Sequence, residues 1–337
     1  MSSHTFNTVP AIQVPADTGL WPRNLVSIRD LSPVEVESVL HLASLMKARP
    51  NDFRGALTGK QMALFFEKPS LRTRLTFQAG MASLGGVSFF IDQTLSRLGE
   101  REALSDVARN LERWIDVVVL RTFEHQTVEC VAKYADVPVI NALSDLEHPC
   151  QALADYFTLQ EKFTNIRDIR LAYVGDGNNV AHSLLLTCAA LGSQIRISTP
   201  PGYEPDAQIV ADAQSLAQET GAVIELISDP HAAVCGVDAV YTDVWASMGQ
   251  EHEADDRASV FASYQVNHGL LANASPHALF MHCLPAHRGL EVTDEVIDSP
   301  RSVVFDQAEN RVHVQKAILL LLLGGGMSRL PIRSAHA

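Results

Sequence analysis

The stretch from Gln61 to Arg74 constrains the fold most, because a buried-strand pattern leads directly into a helix start. Residues 62–66 form an uninterrupted apolar run that predicts a buried strand. A Pro-Ser break follows, and apolar residues then recur at helical spacing from Leu71. Residues 70–74 therefore lie at a strand-to-helix junction. The first N–H groups of such a helix lack intrahelical partners and carry the positive end of its dipole, so the junction attracts an anion.

The side chains at this junction strengthen the prediction of an anion site. Ser70 and Thr73 supply hydroxyl donors, and Arg72 and Arg74 supply planar guanidinium groups that match phosphate or carboxylate geometry. The alternative is a capped surface helix with two solvated arginines, which is the usual explanation of an isolated serine and arginine. Two hydroxyls and two arginines so close together favour the anion site.

Strands and helices alternate along the rest of the chain. We predict further strands at residues 87–90, 117–121, 137–141, 171–176, 194–199, 222–227, 239–243, 278–283 and 303–306. We predict helices after Ser32, from about 71, over 104–115, between 121 and 137, after Pro149, over 180–191 and 206–220, near 258–271 and from about 311. This order indicates an α/β protein whose parallel sheets are covered by helices on both faces.

A chain of 337 residues has room for two medium-sized domains, each with its own core. We expect two doubly wound parallel-sheet domains linked by two interdomain helices. Residues 1–22 are predicted to form a flexible tail, residues 23–154 a first domain, and residues 155–310 a second domain. The C-terminal helix, over about 311–337, is expected to complete the first domain.

Composition limits the partners and the compartment. A net charge of −13 argues against nucleic acid or an anionic membrane surface as a partner. The longest apolar run, residues 317–323, is too short to cross a bilayer, and nothing near the N-terminus resembles a signal peptide. The five cysteines include no C-x-x-C pair and are more typical of free thiols in a reducing compartment. We therefore expect a cytoplasmic protein.

Polar residues recur just after the predicted strands. In open parallel sheets, ligands bind beyond the carboxyl ends of the strands. The residues placed in this way are Ser70 to Arg74, Arg121, His148 and Gln151, Asn178 and Asn179, Asp243, Cys283 and Arg311. We therefore expect a ligand-binding cleft between the two sheets.

Two other types of site are less consistent with the residues. Gly175 and Gly177 suggest a dinucleotide-binding turn, but the third glycine is missing and the next strand ends in Ser198 and Thr199, not in an acidic residue. Cys283 suggests a nucleophilic thiol, but no catalytic cysteine signature surrounds it, and a cysteine that ends a buried strand is more often structural.

Four separated motifs, in order, carry a family resemblance. The chain resembles the transcarbamoylases from about Asn24 to the C-terminal helix. FEKPSLRTR is similar to their carbamoyl-phosphate signature and HPCQ to its second element, while DVWASMG resembles the ornithine loop and HCLP the C-terminal motif of the ornithine carbamoyltransferases. Aspartate-specific relatives have HPLP where this chain has Cys283, and they lack the SMG loop.

The resemblance implies a role for each matching residue. Ser70, the backbone N–H of Leu71, Arg72, Thr73 and Arg74 would hold the phosphate end of carbamoyl phosphate. Arg121, His148 and Gln151 would hold its carbamoyl group, with Arg121 and His148 at the carbonyl oxygen. Cys283, Leu284 and Arg311 would close the site around both substrates, and Asn179, Asp243, Ser247 and Met248 would bind the amino-acid end of ornithine. Arg121, His148, Asp243 and Cys283 would be the catalytic residues.

The implied reaction transfers the carbamoyl group of carbamoyl phosphate to the δ-amine of L-ornithine, giving L-citrulline and phosphate in arginine metabolism. It implies no metal and no organic cofactor, and the assembly would be a homotrimer or a multiple of trimers with shared active sites. A transcarbamoylase for another amine, such as putrescine, an N-acylated ornithine or aspartate, is the alternative. A catalytically inactive paralogue is disfavoured because Arg72, His148, Asp243 and Cys283 are intact.

Elementary chemistry explains these residue types. Attack of an amine on carbamoyl phosphate builds negative charge on the carbonyl oxygen and on the departing phosphate, so preorganised donors at both places lower the barrier. The attacking amine must be neutral, and its pKa near ~10 makes deprotonation at neutral pH cost roughly 4 kcal/mol. We hypothesise that Asp243 and Cys283 orient ornithine and help to select its neutral δ-amine.

The chain departs from the family pattern at two positions. Leu71 replaces a residue that is commonly Thr or Met, which matters little if the site uses only its N–H group. In the loop SRLGERE, Arg97 stands where many ornithine enzymes have a glutamine that reaches the carbamoyl phosphate of a neighbouring subunit. Arg97 is therefore a candidate for that contact, with exposure to solvent as the alternative.

Overall fold

The computed structural model describes residues 23–93, 97–246 and 253–324. The helices in these ranges are α1 (Pro33–Ala48), α2 (Leu71–Ser83), α3 (Leu104–Leu111), α4 (His125–Tyr134), α5 (Pro149–Lys162), α6 (Asn179–Leu191), α7 (Ala207–Thr220), α8 (Pro230–Val234), α9 (Ala254–Phe261), α10 (His268–Leu271), α11 (Asp294–Ile297) and α12 (Val304–Leu323). The strands are β1 (Gln61–Phe66), β2 (Val87–Asp92), β3 (Val117–Arg121), β4 (Val139–Leu143), β5 (Arg170–Val174), β6 (Gln194–Ser198), β7 (Val223–Leu226), β8 (Ala239–Thr242) and β9 (Leu279–His282).

The strands form two fully parallel sheets, which confirms the predicted α/β class. The first sheet has the order β2-β1-β3-β4 and the second has the order β7-β6-β5-β8-β9. In each sheet the chain first builds strands to one side and then returns to build on the other. The order therefore reverses between β1 and β3 in the first sheet and between β5 and β8 in the second. In doubly wound sheets, ligands bind at such switch points.

The central strands of both sheets are buried on both faces, and this explains their uninterrupted apolar runs. In β1, Met62, Leu64 and Phe66 pack into the largest core, whereas Ala63 and Phe65 pack into a second core with α3 and α4. The strand β5 is divided between two cores in the same alternating way. A parallel strand covered on both faces therefore has no polar face to show in its sequence.

Two helices join the sheets. The largest core contains residues of both β1 and β5, and it includes α5 and α12. Residues 149–159 of α5 are all buried, as expected of a helix enclosed by protein on every side. In α12, Asn310 donates to Thr158 of α5 at 2.9 Å, and Arg311 donates to Thr73 of α2 at 2.6 Å. These contacts fix the position of α12 against the first sheet.

Several helix boundaries follow the caps that the sequence indicates. Ser32 and Glu35 form a capping box at the start of α1, with Pro33 at its first position. Pro149 occupies the same position in α5. Gly192 ends α6 with a left-handed φ of 68°, a conformation that glycine adopts without steric cost.

Two of the predicted elements are wrong. Residues 303–306 were expected to form a strand, but Val303 is the N-cap of α12 and Asp306 lies in its first turn. The preceding residue, Ser302, makes an isolated bridge with Phe280 of β9. The helix expected near 258–271 is divided into α9, a 3-10 turn over Ala262–Tyr264, and α10. The Tyr264 hydroxyl donates to Ser228 O at 2.6 Å, which ties the break to the end of the second sheet.

Among residues 23–93, 97–246 and 253–324, no helix combines the length and the apolar character that a membrane crossing requires. The predicted tail and the last residues of the predicted C-terminal helix, 325–337, lie outside the described ranges.

Candidate active site

The candidate residues lie at the carboxyl ends of the strands that flank the two switch points. In the first sheet, β1 leads to residues 70–74 and β3 ends at Arg121, with Phe66 directly beside Arg121 in the register. In the second sheet, β5 leads to Asn178 and β8 leads to Asp243. The fold therefore places a cationic set at one switch point and a carboxylate at the other.

The N-terminus of α2 is open to a ligand. Ser70 is its N-cap in an extended conformation, its side chain makes no capping hydrogen bond, and no acidic residue lies in the first turn. Leu71 is 71% exposed, so its side chain points away from the protein while its N–H belongs to the helix start. Such an end presents unsatisfied N–H groups and positive dipole charge to an anion.

The four side chains at residues 70–74 with predicted polar roles do not all lie in one cluster. Thr73 is buried and accepts a hydrogen bond from Arg311 Nη2 at 2.6 Å, so α12 closes against α2 at this point. Arg74 instead stacks on Phe90, 3.7 Å from the ring centroid, and its Nε donates to Gln78 at 3.2 Å. The structure therefore brings Thr73 and Arg311 together and directs Arg74 towards β2.

Two buried guanidinium groups lie deep in the site. Burial and the neighbouring Arg311 lower the pKa of Arg121 to about 9, which leaves it protonated at neutral pH. Burial also lowers the pKa of Arg311. Two like charges held so close in a buried site need an anion to compensate them.

His148 completes this cationic region as a neutral group. Burial, together with Arg311 and Arg121, lowers its pKa well below the usual value, so the imidazole is uncharged at neutral pH. Its backbone N–H donates to Ser183 Oγ at 2.9 Å. The neighbouring Glu147 is fully buried and contacts both Ser27 and Ser183, which holds the start of α5 against both lobes.

Four buried polar atoms in this region have no hydrogen-bond partner within the described part of the chain. They are Arg121 Nε, Arg311 Nε, His148 Nδ1 and Gln151 Oε1. Buried polar atoms are almost always satisfied in folded proteins, so this group of four needs an explanation, and a bound ligand would supply the missing partners. The set contains two charged guanidinium N–H donors, one imidazole nitrogen and one amide oxygen. It suits a ligand that carries both negative charge and an N–H group.

The second lobe contributes a carboxylate with two side-chain partners. Asp243 Oδ1 accepts from the Cys283 thiol at 3.0 Å, and Oδ2 accepts from Asn178 Nδ2 at 2.9 Å. Burial and Asp243 raise the pKa of Cys283 well above its usual value. The thiol is therefore protonated at neutral pH, which argues against a nucleophilic role because only the thiolate attacks.

Leu284 follows Cys283 in a strained conformation. Its φ of 59° lies in the left-handed region, which a bulky residue rarely occupies. Its N–H donates to His282 Nδ1 at 2.9 Å, and His282 Nε2 pairs with buried Glu291 at 3.2 Å. Strain of this kind persists only where surrounding contacts enforce it, typically at ligand sites.

The glycines that suggested a dinucleotide turn have a packing role. A Cβ atom on Gly177 would lie 2.3 Å from the backbone nitrogen of Pro205, so the chain approaches too closely for any side chain. Gly175 has a φ of 152°, which also favours glycine. Neither glycine therefore needs a phosphate ligand to explain it.

One group of side chains has the spacing of a metal site. Donor atoms of Asp243, His282 and Cys283 lie within 4.8 Å of one another. Both ring nitrogens of His282 are engaged, by Leu284 N and by Glu291. Two available donors are fewer than the three or four protein ligands of a zinc site, so the set fits a metal poorly.

Two of the remaining candidates, Asn179 and Arg97, contact parts of the first lobe. Asn179 begins α6, and its Nδ2 donates to Ser144 O of the first lobe at 2.5 Å. The Arg97 guanidinium stacks on Phe123 of the same chain, 4.2 Å from the ring centroid, so in this chain it is not directed into the cleft. Ser247 and Met248 lie outside the described residues.

The structure adds Asp155, which the sequence did not single out, and it gives Asn178 a direct contact with Asp243. Asp155 accepts a hydrogen bond from Gln151, one turn earlier in α5. The available signal for Asp155 is an acidic residue within an otherwise apolar stretch, residues 152–157, because buried carboxylates are rare without partners. Its partners come from distant parts of the chain, so their identity could not be read from the spacing.

Comparisons with known proteins agree with this geometry. The carbamoyl-P binding domain of the aspartate/ornithine carbamoyltransferases matches residues 23–161, and their Asp/Orn binding domain matches residues 167–322. An ornithine carbamoyltransferase from Pyrococcus abyssi is 50% identical over 308 residues, covering 90% of this chain and 96% of that protein. One from Nostoc sp. is 50% identical over 305 residues, covering 90% of this chain and 98% of that protein.

The solved structure of ornithine carbamoyltransferase from Pyrococcus furiosus has a TM-score of 0.88 and 49% identity to this chain, and covers 91% of this chain and 98% of that one. Fold, site and both domain matches together define an enzyme of the carbamoyltransferase class. The chain belongs to the aspartate/ornithine carbamoyltransferase family.

Proposed function

We propose that this protein transfers the carbamoyl group of carbamoyl phosphate to the δ-amine of L-ornithine, producing L-citrulline and phosphate. The observation that carries the proposal is the set of unpartnered buried atoms on Arg121, Arg311, His148 and Gln151, which faces a carboxylate of the second lobe. An anion that also carries an amide fits the first set, and an ammonium group fits the second. The ornithine enzymes from Pyrococcus and Nostoc support this choice of substrates.

The phosphate end is proposed to bind at the start of α2. Ser70, the N–H of Leu71, Arg72 and Thr73 surround that helix end, and Arg311 reaches it through Thr73. Arg74 belongs to the proposed set as well, and it would have to leave Phe90 to take part. Helix dipole, N–H groups and guanidinium forks then share the two negative charges.

The carbamoyl group is proposed to lie against Arg121, His148 and Gln151. Arg121 supplies positive charge where the carbonyl oxygen becomes negative, and His148 supplies a neutral N–H donor because its pKa is lowered. Loss of one such preorganised donor costs about 3 kcal/mol of transition-state stabilisation. Arg121, and not an imidazolium ion, is therefore proposed as the cation that stabilises the negative charge on the carbonyl oxygen.

Ornithine is proposed to approach from the second lobe. Asp243 would bind its free α-ammonium group, with Asn179, Ser247 and Met248 around the amino-acid end and with Cys283 and Leu284 closing the site. A carboxylate partner suits a free ammonium group and does not suit an N-acylated one. The neutral Cys283 thiol donates to Asp243, which reduces the carboxylate charge that the reactive δ-amine meets.

The assembly is proposed to be a homotrimer or a multiple of trimers. The exposed large apolar side chains of the first domain include Leu71, Leu75, Val87, Phe89 and Trp114. Phe89 and Trp114 also line a cavity of about 660 Å³ beside Arg97. An apolar patch of this kind is typical of a protein interface, and a neighbouring subunit would bring a second Arg97 near it.

We also propose the division into a first domain over 23–154, completed by the C-terminal helix, and a second domain over 155–310. A reducing cytoplasmic compartment is proposed because all five cysteines are free.

The proposal is tested by comparing amines as substrates. With carbamoyl phosphate and the purified enzyme, we expect rapid release of citrulline and phosphate from L-ornithine, and little product from putrescine, aspartate or N-acetylornithine. An Asp243→Asn variant should lose preference for ornithine, because the α-ammonium loses its charged partner. A higher kcat/KM for any of the other three amines would contradict the assignment of ornithine.

A further inference from the structure

Asp155 is a buried carboxylate that links four elements of the site. It is fully buried in α5, where its Oδ1 accepts from Gln151 Nε2 at 2.8 Å and from Gln307 Nε2 at 2.9 Å. Its Oδ2 accepts from the Tyr241 hydroxyl at 3.0 Å. Gln307 in turn accepts from the backbone N–H of His282 at 2.9 Å.

Each partner of Asp155 lies close to a proposed substrate contact. Gln151 is itself in the proposed carbamoyl site, and Tyr241 lies two residues before Asp243. Gln307 precedes Arg311 by one helical turn. It also binds the backbone of His282, the residue directly before Cys283. One carboxylate therefore binds side chains from α5, β8 and α12, and Gln307 extends the network to the backbone of β9.

The Asp155 carboxylate also determines which end of the Gln151 amide faces the substrate. An ionised carboxylate only accepts hydrogen bonds, so the Gln151 NH₂ group has to face Asp155. The opposite atom, Oε1, is buried and has no partner among the described residues. A carbamoyl group ends in an NH₂ group, which needs an acceptor at this position.

We propose that Asp155 is a positioning residue that keeps the Gln151 carbonyl oxygen directed at the carbamoyl NH₂ group. This inference rests on the proposed function, because it assumes that the bound ligand carries a carbamoyl group. A protonated or amide side chain at position 155 can donate as well as accept. Gln151 can then reverse its amide and present NH₂ to NH₂, which is a mismatch of two donors.

The charges around Asp155 determine when it is ionised. Burial raises its pKa to about 6, while the hydrogen bonds from Gln307, Gln151 and Tyr241 and the charge of Arg311 oppose the rise. Tyr241, Tyr156 and Cys283 are also near, and burial raises the pKa of each, so all three are neutral at neutral pH. Asp155 is therefore ionised at pH 7.5 and becomes protonated as the pH falls through about 6.

A pair of ligands separates the carbamoyl contact from the phosphate contact. Phosphonoacetamide carries a phosphate-like group and a terminal amide, whereas inorganic phosphate has only the first of these. Their dissociation constants would be measured by calorimetry on the wild-type protein and on Asp155→Asn. We expect phosphonoacetamide to bind about tenfold more weakly to Asp155→Asn, because a charge-assisted contact orients Gln151.

Inorganic phosphate should bind the Asp155→Asn variant as well as, or better than, the wild type, because Arg311 loses an opposing charge. A structural defect would weaken both ligands together. Equal weakening of both, or no change in either, would overturn the inference.

Two further variants complete the test. Thr158→Val removes another buried link between α5 and α12, the bond from Asn310, without touching Asp155 or Gln151. It should leave both dissociation constants unchanged. The double variant Asp155→Asn with Gln151→Glu restores an acceptor-only group facing the carbamoyl NH₂, so it should recover most of the lost affinity. Binding no tighter than that of Asp155→Asn alone would overturn the orientation role.

The wild type offers a test that does not depend on a variant folding. The ratio of the phosphonoacetamide and phosphate dissociation constants largely cancels the ionisation of the phosphate-like end. This ratio should rise as the pH is lowered from 7.5 to 5.5, and a constant ratio would contradict the inference. Citrulline formation by the wild type tests the proposed function separately, so the two can fail independently.

Discussion

At the scale of single residues, the contact between Cys283 and Asp243 bears most directly on the proposed nucleophile, the δ-amine of ornithine. The Cys283 thiol donates to Asp243 at 3.0 Å and stays protonated because its pKa is raised. A carboxylate that accepts this bond attracts a nearby ammonium group less strongly. In the proposed reaction the pair would therefore hold ornithine and favour the neutral form of its δ-amine.

Replacing Cys283 by Ala should shift the pH profile of citrulline formation. Without the thiol, Asp243 stabilises the δ-ammonium ion more, so the acid limb of kcat/KM for ornithine should move upward by about half a pH unit. Cys283→Ser, which keeps a hydroxyl donor, should stay close to the wild type. An unchanged profile in the alanine variant would rule out this role of the thiol.

Arg121 should be the most costly single loss at the carbonyl oxygen. Arg121→Gln keeps a hydrogen-bond donor but removes the charge, and we expect kcat to fall by about 10²-fold. The kcat of His148→Gln should fall less than that of Arg121→Gln, because the imidazole that is replaced is already neutral. A larger loss in His148→Gln than in Arg121→Gln would contradict this division of roles, and steady-state kinetics at saturating substrates measures both.

At the scale of elements, the start of α2 is the proposed phosphate contact, and the role of its backbone can be tested directly. Proline is tolerated at the first helical position, and the extended conformation of Ser70 suits a residue before proline. Leu71→Pro therefore removes one N–H donor while the helix is retained. Phosphate should bind this variant about tenfold more weakly, whereas Leu71→Ala, which keeps the N–H, should bind it like the wild type.

The elements also show what the sequence could and could not reveal. Runs such as residues 62–66 and 117–120 were predictable because a strand buried on both faces must be apolar throughout. Residues 303–306 carry the same pattern but begin α12, since a short apolar run does not distinguish a strand from a buried helix start. The three partners of Asp155 were not predictable, because the three-dimensional packing of α5, β8 and α12 brings them together.

At the scale of the whole molecule, the two sheets bring the proposed phosphate contacts to one switch point and Asp243, the proposed ammonium contact, to the other. The motifs at residues 70–74, 121, 148–151, 243 and 283 were predictable because each follows a strand, and parallel strands end at the same edge of a sheet. The side-chain directions were not: Arg74 lies on Phe90 and Arg97 lies on Phe123. Such directions depend on packing partners that are distant in the sequence.

The exposed apolar surface of the first domain predicts the assembly. Trp114 is 65% exposed, and Trp114→Glu should convert a trimer into smaller species in light scattering, because a charge at an apolar interface is costly. Phe305→Glu is the matched control, since Phe305 is 71% exposed on α12 and outside this patch. A Trp114→Glu variant that keeps three times the protomer mass would place the interface elsewhere.

The central claim is that the first lobe holds the phosphate and carbamoyl ends while the second lobe holds the amino acid. A crystal structure with ornithine whose δ-nitrogen carries a phosphonoacetyl group tests this claim most directly. The phosphonate should lie at the start of α2 beside Arg311, the acetyl oxygen should contact Arg121, and the α-ammonium group should contact Asp243. A phosphonate bound away from α2, or an α-ammonium group bound away from Asp243, would contradict the account.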